Sequence, residues 1–185
     1  SLGGWAYAMS NAGRGDEAQA RLAATLAATG VIEPAEWRAE LLLAQSTVTP
    51  DPKHRLALLE LARQIYAQGA PTPIDRLTLV SMLSQTLGQL GEHAEGLRYS
   101  YEAAALADRV HPGNSSRRAR IYNNLGSMLS TANRMGDAVA AYGTAEAIYR
   151  ELGDHDSPAF AALVHNRGTL LRDIGAAELG LPDSF

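Results

Sequence analysis

Apolar residues recur three and four positions apart along most of the chain, as in Leu56, Leu59, Ala62, Ile65 and Tyr66, or Val139, Tyr142, Ala145, Ile148 and Tyr149. This spacing follows the turn of an α-helix and lines one of its faces. Glycines and prolines punctuate the runs at Gly13/Gly15, Gly30/Pro34, Pro50/Pro52, Gly69/Pro71/Pro73, Gly91, Pro112/Gly113, Gly136, Gly153/Pro158 and Gly175. The stretches left between them are one helix long, so the pattern predicts about ten helices and no strands.

The same pattern also repeats. Val80–Leu87, Tyr122–Leu129 and Val164–Leu171 align so that Leu83, Leu125 and Arg167 share one position, 42 residues apart. A small residue follows each of them, at Ser84, Gly126 and Gly168, and a leucine stands four further on, at Leu87, Leu129 and Leu171. Eight residues after each anchor comes one that tolerates a left-handed backbone, at Gly91, Asn133 and Gly175. Coincidences in fixed register identify a repeating pair of antiparallel helices, A and B. The small residue is expected where a neighbouring helix backbone approaches, and the Gly/Asn position is expected to close helix A. One pair cannot cover its own apolar stripe, so stability must come from stacking. The expected fold is all-α, a right-handed α-α superhelix (solenoid) of about five stacked antiparallel helix pairs. It would form a single domain over 1–185, with repeats near 1–30, 34–69, 74–110, 115–152 and 157–185, the last truncated.

Tyr122, Leu125, Gly126, Ala138, Tyr142 and Ala145 together resemble the tetratricopeptide repeat (TPR): an aromatic, then Leu-Gly, an Ala opening helix B, an aromatic and a further Ala. The copy near Leu77 carries Leu83, Ser84, Gly91, Gly96 and Ala103. The copy at Ala161 carries Gly168, Leu171 and Gly175 but has Arg167 where Leu is expected. At the start, Trp5, Ala6 and Met9 precede Gly13, Ala18 and Leu22. The stretch from Pro34 to Gly69, with Trp37 and Ala57–Leu61, is a divergent pair placed by periodicity. A 42-residue period exceeds the roughly 34 residues of the commonest form, so each helix is expected to be about a turn longer. This is similar to the long-repeat subclass of kinesin light chains and of bacterial regulatory proteins, including peptide-sensing regulators and multidomain transcription or nucleotide-cyclase proteins. The resemblance implies capture of a protein or peptide segment on the concave surface lined by A helices, in a cytoplasmic signalling or transcription-regulatory protein.

Composition narrows the remaining classes. The chain has 185 residues, 46% hydrophobic, 19% charged and 6% aromatic, with alanine dominating the apolar set. Alanine favours helix, and the residues that favour sheets are scarce. A formal net charge of −4 gives no basic face for nucleic acid. The absence of cysteine excludes disulfides, zinc-thiolate sites and thiol nucleophiles. No apolar run is long enough to span a membrane, and Ser1-Leu2-Gly3-Gly4-Trp5 lacks the features of a signal peptide or an initiator methionine, so the start reads as cut or processed.

Helical geometry places a polar inner face on the A helices: Arg120, Asn123, Asn124, Ser127, Ser130 and Thr131 in one copy, His165, Asn166, Thr169, Arg172 and Asp173 in the next, and Ser81, Gln85 and Gln89 in the one before. Among these, Arg120, Asn123, Asn124, Ser127, His165, Asn166, Thr169 and Gln85 are the candidate peptide-binding residues. Asn124 and Asn166 occupy equivalent positions, where amides can hold a peptide backbone by paired donor and acceptor contacts. Two alternatives stand beside this: a simply solvated groove, or asparagines bonded to the neighbouring helix. Arg120, near Arg117 and Arg118, favours an acidic ligand, whereas the latter two read as a solvated helix start. No lysine lines an A helix, so the chaperone-type carboxylate clamp is not reproduced.

Other motifs read blandly. Arg14-Gly15-Asp16 falls in a turn, Asn114-Ser115-Ser116 reads as a polar loop before a helix, and Asp154-His155-Asp156 reads as a helix cap in preference to a metal site. The five histidines never pair at ligand spacing, and no nucleophile motif, phosphate loop or acid pair stands out. The expectation is therefore no enzyme, no cofactor and no metal, with no direct contact to nucleic acid or membrane. After Gly175 the last unit has Ala176 to Leu181 before Pro182, which suggests an uncovered apolar end. The alternative function is thus homo-oligomerisation, a homodimer stacked through such ends.

Overall fold

The computed structural model describes residues 2–28 and 35–178. Among them are nine helices: α1 (Leu2–Asn11), α2 (Gly15–Ala28), α3 (Ala35–Val48), α4 (Pro52–Gln68), α5 (Pro73–Gln89), α6 (His93–Val110), α7 (Ser116–Thr131), α8 (Met135–Glu151) and α9 (Pro158–Glu178). No strand occurs among the described residues. The chain divides into two compact units, residues 1–92 and 93–185.

Three A-to-B turns are built alike. Gly13, Gly91 and Asn133 have φ of 74°, 82° and 58°. In each turn a second bond runs from the following N–H back across the helix end, Arg14 N to Met9 O, Glu92 N to Leu87 O and Arg134 N to Leu129 O, at 2.8 to 2.9 Å. These bonds satisfy helix-end carbonyls that would otherwise lack partners. The turn after α3 has no such residue. There Arg55 reaches back instead, its Nη2 and Nε donating to Thr49 O at 2.8 and 3.1 Å and its Nη1 to Gln89 Oε1 at 2.8 Å. Prolines enter at the first turn of α4 and α5, where no amide donor is needed. Asp51 caps α4, and Thr72 with Asp75 forms a reciprocal capping box on α5.

In the first unit, α1, α3 and α5 lie side by side, and α2 and α4 pack against them. Ala6, Ala18, Leu22, Leu41, Ala44 and Val48 form one buried cluster, with Met9 and Leu26 against it. The burial pattern of α3 repeats on α5 at an offset of 38: Ala39, Leu41, Leu42, Ser46, Val48 and Thr49 correspond to Leu77, Leu79, Val80, Ser84, Thr86 and Leu87. From α5 to α7 the offset is 42, through Ala119, Ile121, Leu125, Gly126, Met128 and Leu129. The divergent second pair is therefore four residues shorter, and Gln45 stands where Leu83 and Leu125 do in the next two copies. In the second unit, α7 packs on α6, α8 and α9, and α8 packs on α9.

Two expectations are corrected. The small residue after the anchor, at Gly126, meets a side chain before any backbone: a Cβ there would lie 2.6 Å from Cδ1 and Cε1 of Tyr142, so the ring occupies that space. Gly175 does not close a helix either. It lies inside α9, because Ala176, Ala177 and Glu178 are good helix formers that extend the turn begun before it. The turn expected at Gly30/Pro34 and the stretch Leu179 to Pro182 lie outside the described residues.

Candidate functional site

The polar A-helix face of the second unit is carried by α7 and α9. Asn166 Nδ2 donates to Asn123 Oδ1 at 3.2 Å, joining the two helices through half-buried amides. The asparagine that pairs with Asn166 is thus Asn123, and the repeat-equivalent Asn124 stands beside the pair, half-buried. One of the alternatives read from the pattern, an asparagine bonded to the neighbouring helix, applies to Asn166. Each amide in that pair still has donor or acceptor capacity beyond the single bond.

Around this pair, Arg120, Ser127 and His165 are exposed and Thr169 is half-buried. Thr169 Oγ1 accepts from Arg172 Nη2 at 3.1 Å. Arg120 lies within electrostatic range of two groups: it opposes the charge on Arg117, whose pKa is lowered first by burial, and it draws down the Tyr149 phenol, which burial raises more. Ser127 shares a hydrogen bond with the Tyr142 hydroxyl that partly offsets the upward push of burial on that phenol. Gln85 is exposed on α5, in the first unit.

The other two arginines at the start of α7 differ from Arg120. Arg118 pairs with Asp108 of α6 at 2.7 Å, and the same carboxylate accepts from Tyr122 at 2.8 Å while Arg118 lies over the Tyr122 ring. These contacts join α6 to α7 and occupy the Arg118 guanidinium. Arg117 also has a partner within the chain. Asn114 bonds Glu151 and Ser115 Oγ caps α7, so the sequon is used structurally. Arg14 pairs with Glu17, and Gly15 and Asp16 belong to the first turn of α2. The cap of α9 is Ser157, which accepts from Phe160 N at 3.2 Å, and not the expected Asp154-His155-Asp156. No three His, Asp or Glu side chains gather to hold a metal ion among the described residues, and none of the described helices is long and apolar enough to cross a membrane.

Sequence reasoning missed one substitution pair. Arg167, out of place at the leucine anchor, forms an ion pair with Glu146 of α8, which also binds Arg150 at 2.5 Å. One repeat earlier the same two positions hold Leu125 and Ala104, both buried. Two buried apolar residues have been exchanged for a charged pair. The signal was in the sequence: glutamate replaces alanine at the position 21 residues before the anchor where arginine replaces leucine.

Residues 75–151 match the family model described as tetratricopeptide repeat. Among solved structures, the chain is similar to a Podosopora anserina protein described as a kinesin light chain with nearly identical TPR-like repeats. The identity is 16% over 96% of this chain and 87% of that one, with TM-scores of 0.77 and 0.76 for two of its crystal structures. It is also similar to BtubC (BKLC) from P. vanneervenii, at 18% identity, TM-score 0.64, over 90% of this chain and 65% of that one. No curated protein sequence matches. At these identities the likeness is one of fold, and it places the chain in the all-α class of stacked helix-pair solenoids.

Proposed function

We propose that this chain, whose residues 75–151 match the tetratricopeptide repeat, is a protein-interaction scaffold that binds an extended protein or peptide segment along the polar face of α7 and α9. The observation that carries this reading is the Asn123–Asn166 amide pair bridging α7 and α9. A fully apolar contact would serve stacking as well, and each amide of the pair keeps hydrogen-bonding capacity that a bound peptide backbone can use. Asn124 and Ser127 extend that face with donors and acceptors, and His165 and Thr169 continue it on α9. Arg120, exposed and without an ion-pair partner among the described residues, supplies a positive charge that selects an acidic residue on the bound segment. Gln85 holds the corresponding polar position on α5. The role is one of binding without catalysis, as the interaction or sensory part of a larger cytoplasmic signalling or transcription-regulatory protein, of bacterial type.

A peptide array probed with the labelled chain tests the reading. The expected hits are rich in Asp and Glu, and they are lost with Arg120→Glu and weakened with Asn124→Ala while the helical melt is unchanged. Hits that survive both substitutions, or that carry no acidic bias, would refute it.

A further inference from the structure

By the same repeat offsets of 42 and 38, the positions that hold Arg117 and Arg120 on α7 hold Asp75 and Thr78 on α5, and Trp37 and Glu40 on α3. Two cations thus give way to acids and an indole. Glu36 and Glu40 stand one turn apart on α3. Trp37, next to Glu36 in sequence and three residues before Glu40, is 60% exposed. No ion pair among the described residues engages Glu36, Glu40 or Asp75. Residues 29–34, which join α2 to α3 in sequence, contain Glu33 and no lysine or arginine.

Helix starts account for part of this charge. Asp75 Oδ2 accepts from Thr72 N and Oγ1 at 3.2 and 2.6 Å in the capping box, and Glu36 lies in the first turn of α3, where the helix dipole favours an acid. Glu40 lies beyond that turn, where the like charge of Glu36 works against it. Tyr66 of α4 is unexplained too: it is only 6% exposed, and its Oη is buried without a hydrogen-bond partner among the described residues. Leaving such a group unmade is costly. Burial first, then Asp75, Glu40 and Glu36, push the Tyr66 phenol pKa up, so the hydroxyl lies within reach of all three charges. Glu36 Oε1 would lie 2.9 Å from a Cβ built on Gly69, the residue that ends α4. The three carboxylates and the phenol oxygen therefore gather at the end of α4, beside the starts of α3 and α5.

We infer that this corner is a subsite for an arginine side chain of a protein partner, its guanidinium held by Glu36, Glu40, Asp75 and Tyr66 Oη and its flat face laid on Trp37. The groups that line the corner are acceptors, and a guanidinium offers five N–H donors and no acceptor. The carboxylates do not converge closely enough to hold a metal ion, whereas the broad guanidinium fork can bridge them. Its planar face also stacks on an indole, which the compact ammonium of lysine does less well. The subsite stands apart from the α7–α9 reading, since it lies within the first unit and takes the opposite charge.

The probe is acetyl-arginine methylamide, compared with the blocked forms of lysine and of citrulline, which keeps the shape of arginine without its charge. The chain has two tryptophans, so its NMR spectrum holds two indole N–H signals, and Trp5→Phe assigns them. Blocked arginine is expected to shift the Trp37 signal saturably at millimolar concentration and to leave Trp5 in place. Lysine should bind about threefold more weakly and citrulline at least about tenfold more weakly. Glu40→Gln should weaken arginine about tenfold and leave Tm unchanged or raised, because a like-charge pair is relieved. Tyr66→Phe should weaken it about threefold with no loss of Tm, because the hydroxyl has no partner to lose. Glu92→Gln, an exposed acid elsewhere in the unit, should leave the affinity within about twofold. Equal shifts with citrulline, a Trp37 signal that does not saturate, or equal weakening by Glu40→Gln and Glu92→Gln would overturn the proposal. A Tm lowered by several degrees in Tyr66→Phe would overturn it as well, by placing an internal partner on the hydroxyl.

Discussion

Replacing Gly126 and Gly168 by alanine, one at a time, should move stability in opposite directions although the two glycines hold the same repeat position. In a helix interior, alanine is favoured over glycine by about 1 kcal/mol, and that gain applies to both. At Gly168 nothing lies within 4 Å of the new Cβ, so the gain stands almost alone. At Gly126 the Cβ would sit 2.6 Å from two atoms of the Tyr142 ring and 3.0 Å from a third. Tyr142 is buried, at 2% exposure, so the ring cannot simply swing away. Overpacking of a buried contact typically costs about 1–3 kcal/mol, leaving Gly126→Ala destabilised by up to about 2 kcal/mol after the propensity gain. For a chain of this length each kcal/mol corresponds to about 2–4 °C in Tm. Urea denaturation followed by helical circular dichroism gives the two differences directly. Shifts of the same sign and size, or a Gly126→Ala chain more stable than the parent, would refute the packing argument. Tyr142→Leu placed behind Gly126→Ala should recover part of the loss, since a shorter side chain clears the new methyl group.

The Arg167–Glu146 pair offers a second comparison: Glu146→Ala alone should destabilise modestly, about 1 kcal/mol or less because Arg167 is more than a third exposed, whereas Glu146→Ala with Arg167→Leu restores the residue types of Ala104 and Leu125 and should be neutral or stabilising. Non-additivity in a double-mutant cycle is the readout, and strictly additive losses would contradict it. Arg55→Ala removes the donor that serves Thr49 O and Gln89 together and should lower stability by about 1–3 kcal/mol, with Arg55→Lys recovering little because ammonium cannot bridge both; an unchanged urea midpoint would show the turn after α3 to be held otherwise. Tyr66, Tyr122, Tyr142 and Tyr149 all have pKa values raised above 10.0, first by burial. A group that holds its proton more tightly folded than unfolded gives stability that is complete below its unfolded pKa and lost as pH rises through the folded one. The melting temperature should therefore fall steeply above about pH 10, with tyrosinate absorbance appearing together with unfolding; ionisation of all tyrosines with the helices intact would contradict this.

Much of the helical framework was legible because the apolar spacing and the punctuation carry it locally. Gly91 and Asn133 announce their turns through a backbone requirement that few residues meet, and the third such turn, at Gly13, follows the same logic. The divergent pair was legible only as helices. Its register was hidden because Gln45 and Thr49 stand where the next two copies have Leu83 and Leu87, and Leu125 and Leu129, and because the pair is four residues shorter, so no single offset aligns it. Gly175 misled for the converse reason: a residue able to close a helix does so only when the chain beyond it turns back. The site divided along the same line. That α7 and α9 would present a polar face followed from helical geometry, but which asparagine meets which depends on the rotation of one helix against another, and Asn123 rather than Asn124 faces Asn166. Likewise the arginines of α7 look alike in sequence, and only the position of Asp108 separates the paired Arg118 from the exposed Arg120.

Reception of an acidic segment by the polar face of α7 and α9 is tested most directly by amide chemical-shift mapping of the chain titrated with an acidic peptide from the array. The largest shifts are expected on Arg120 to Ser127 and His165 to Thr169, and Arg120→Glu is expected to abolish them. Shifts centred on α8, or a saturating titration that leaves Asn123, Asn124 and Asn166 unmoved, would contradict it.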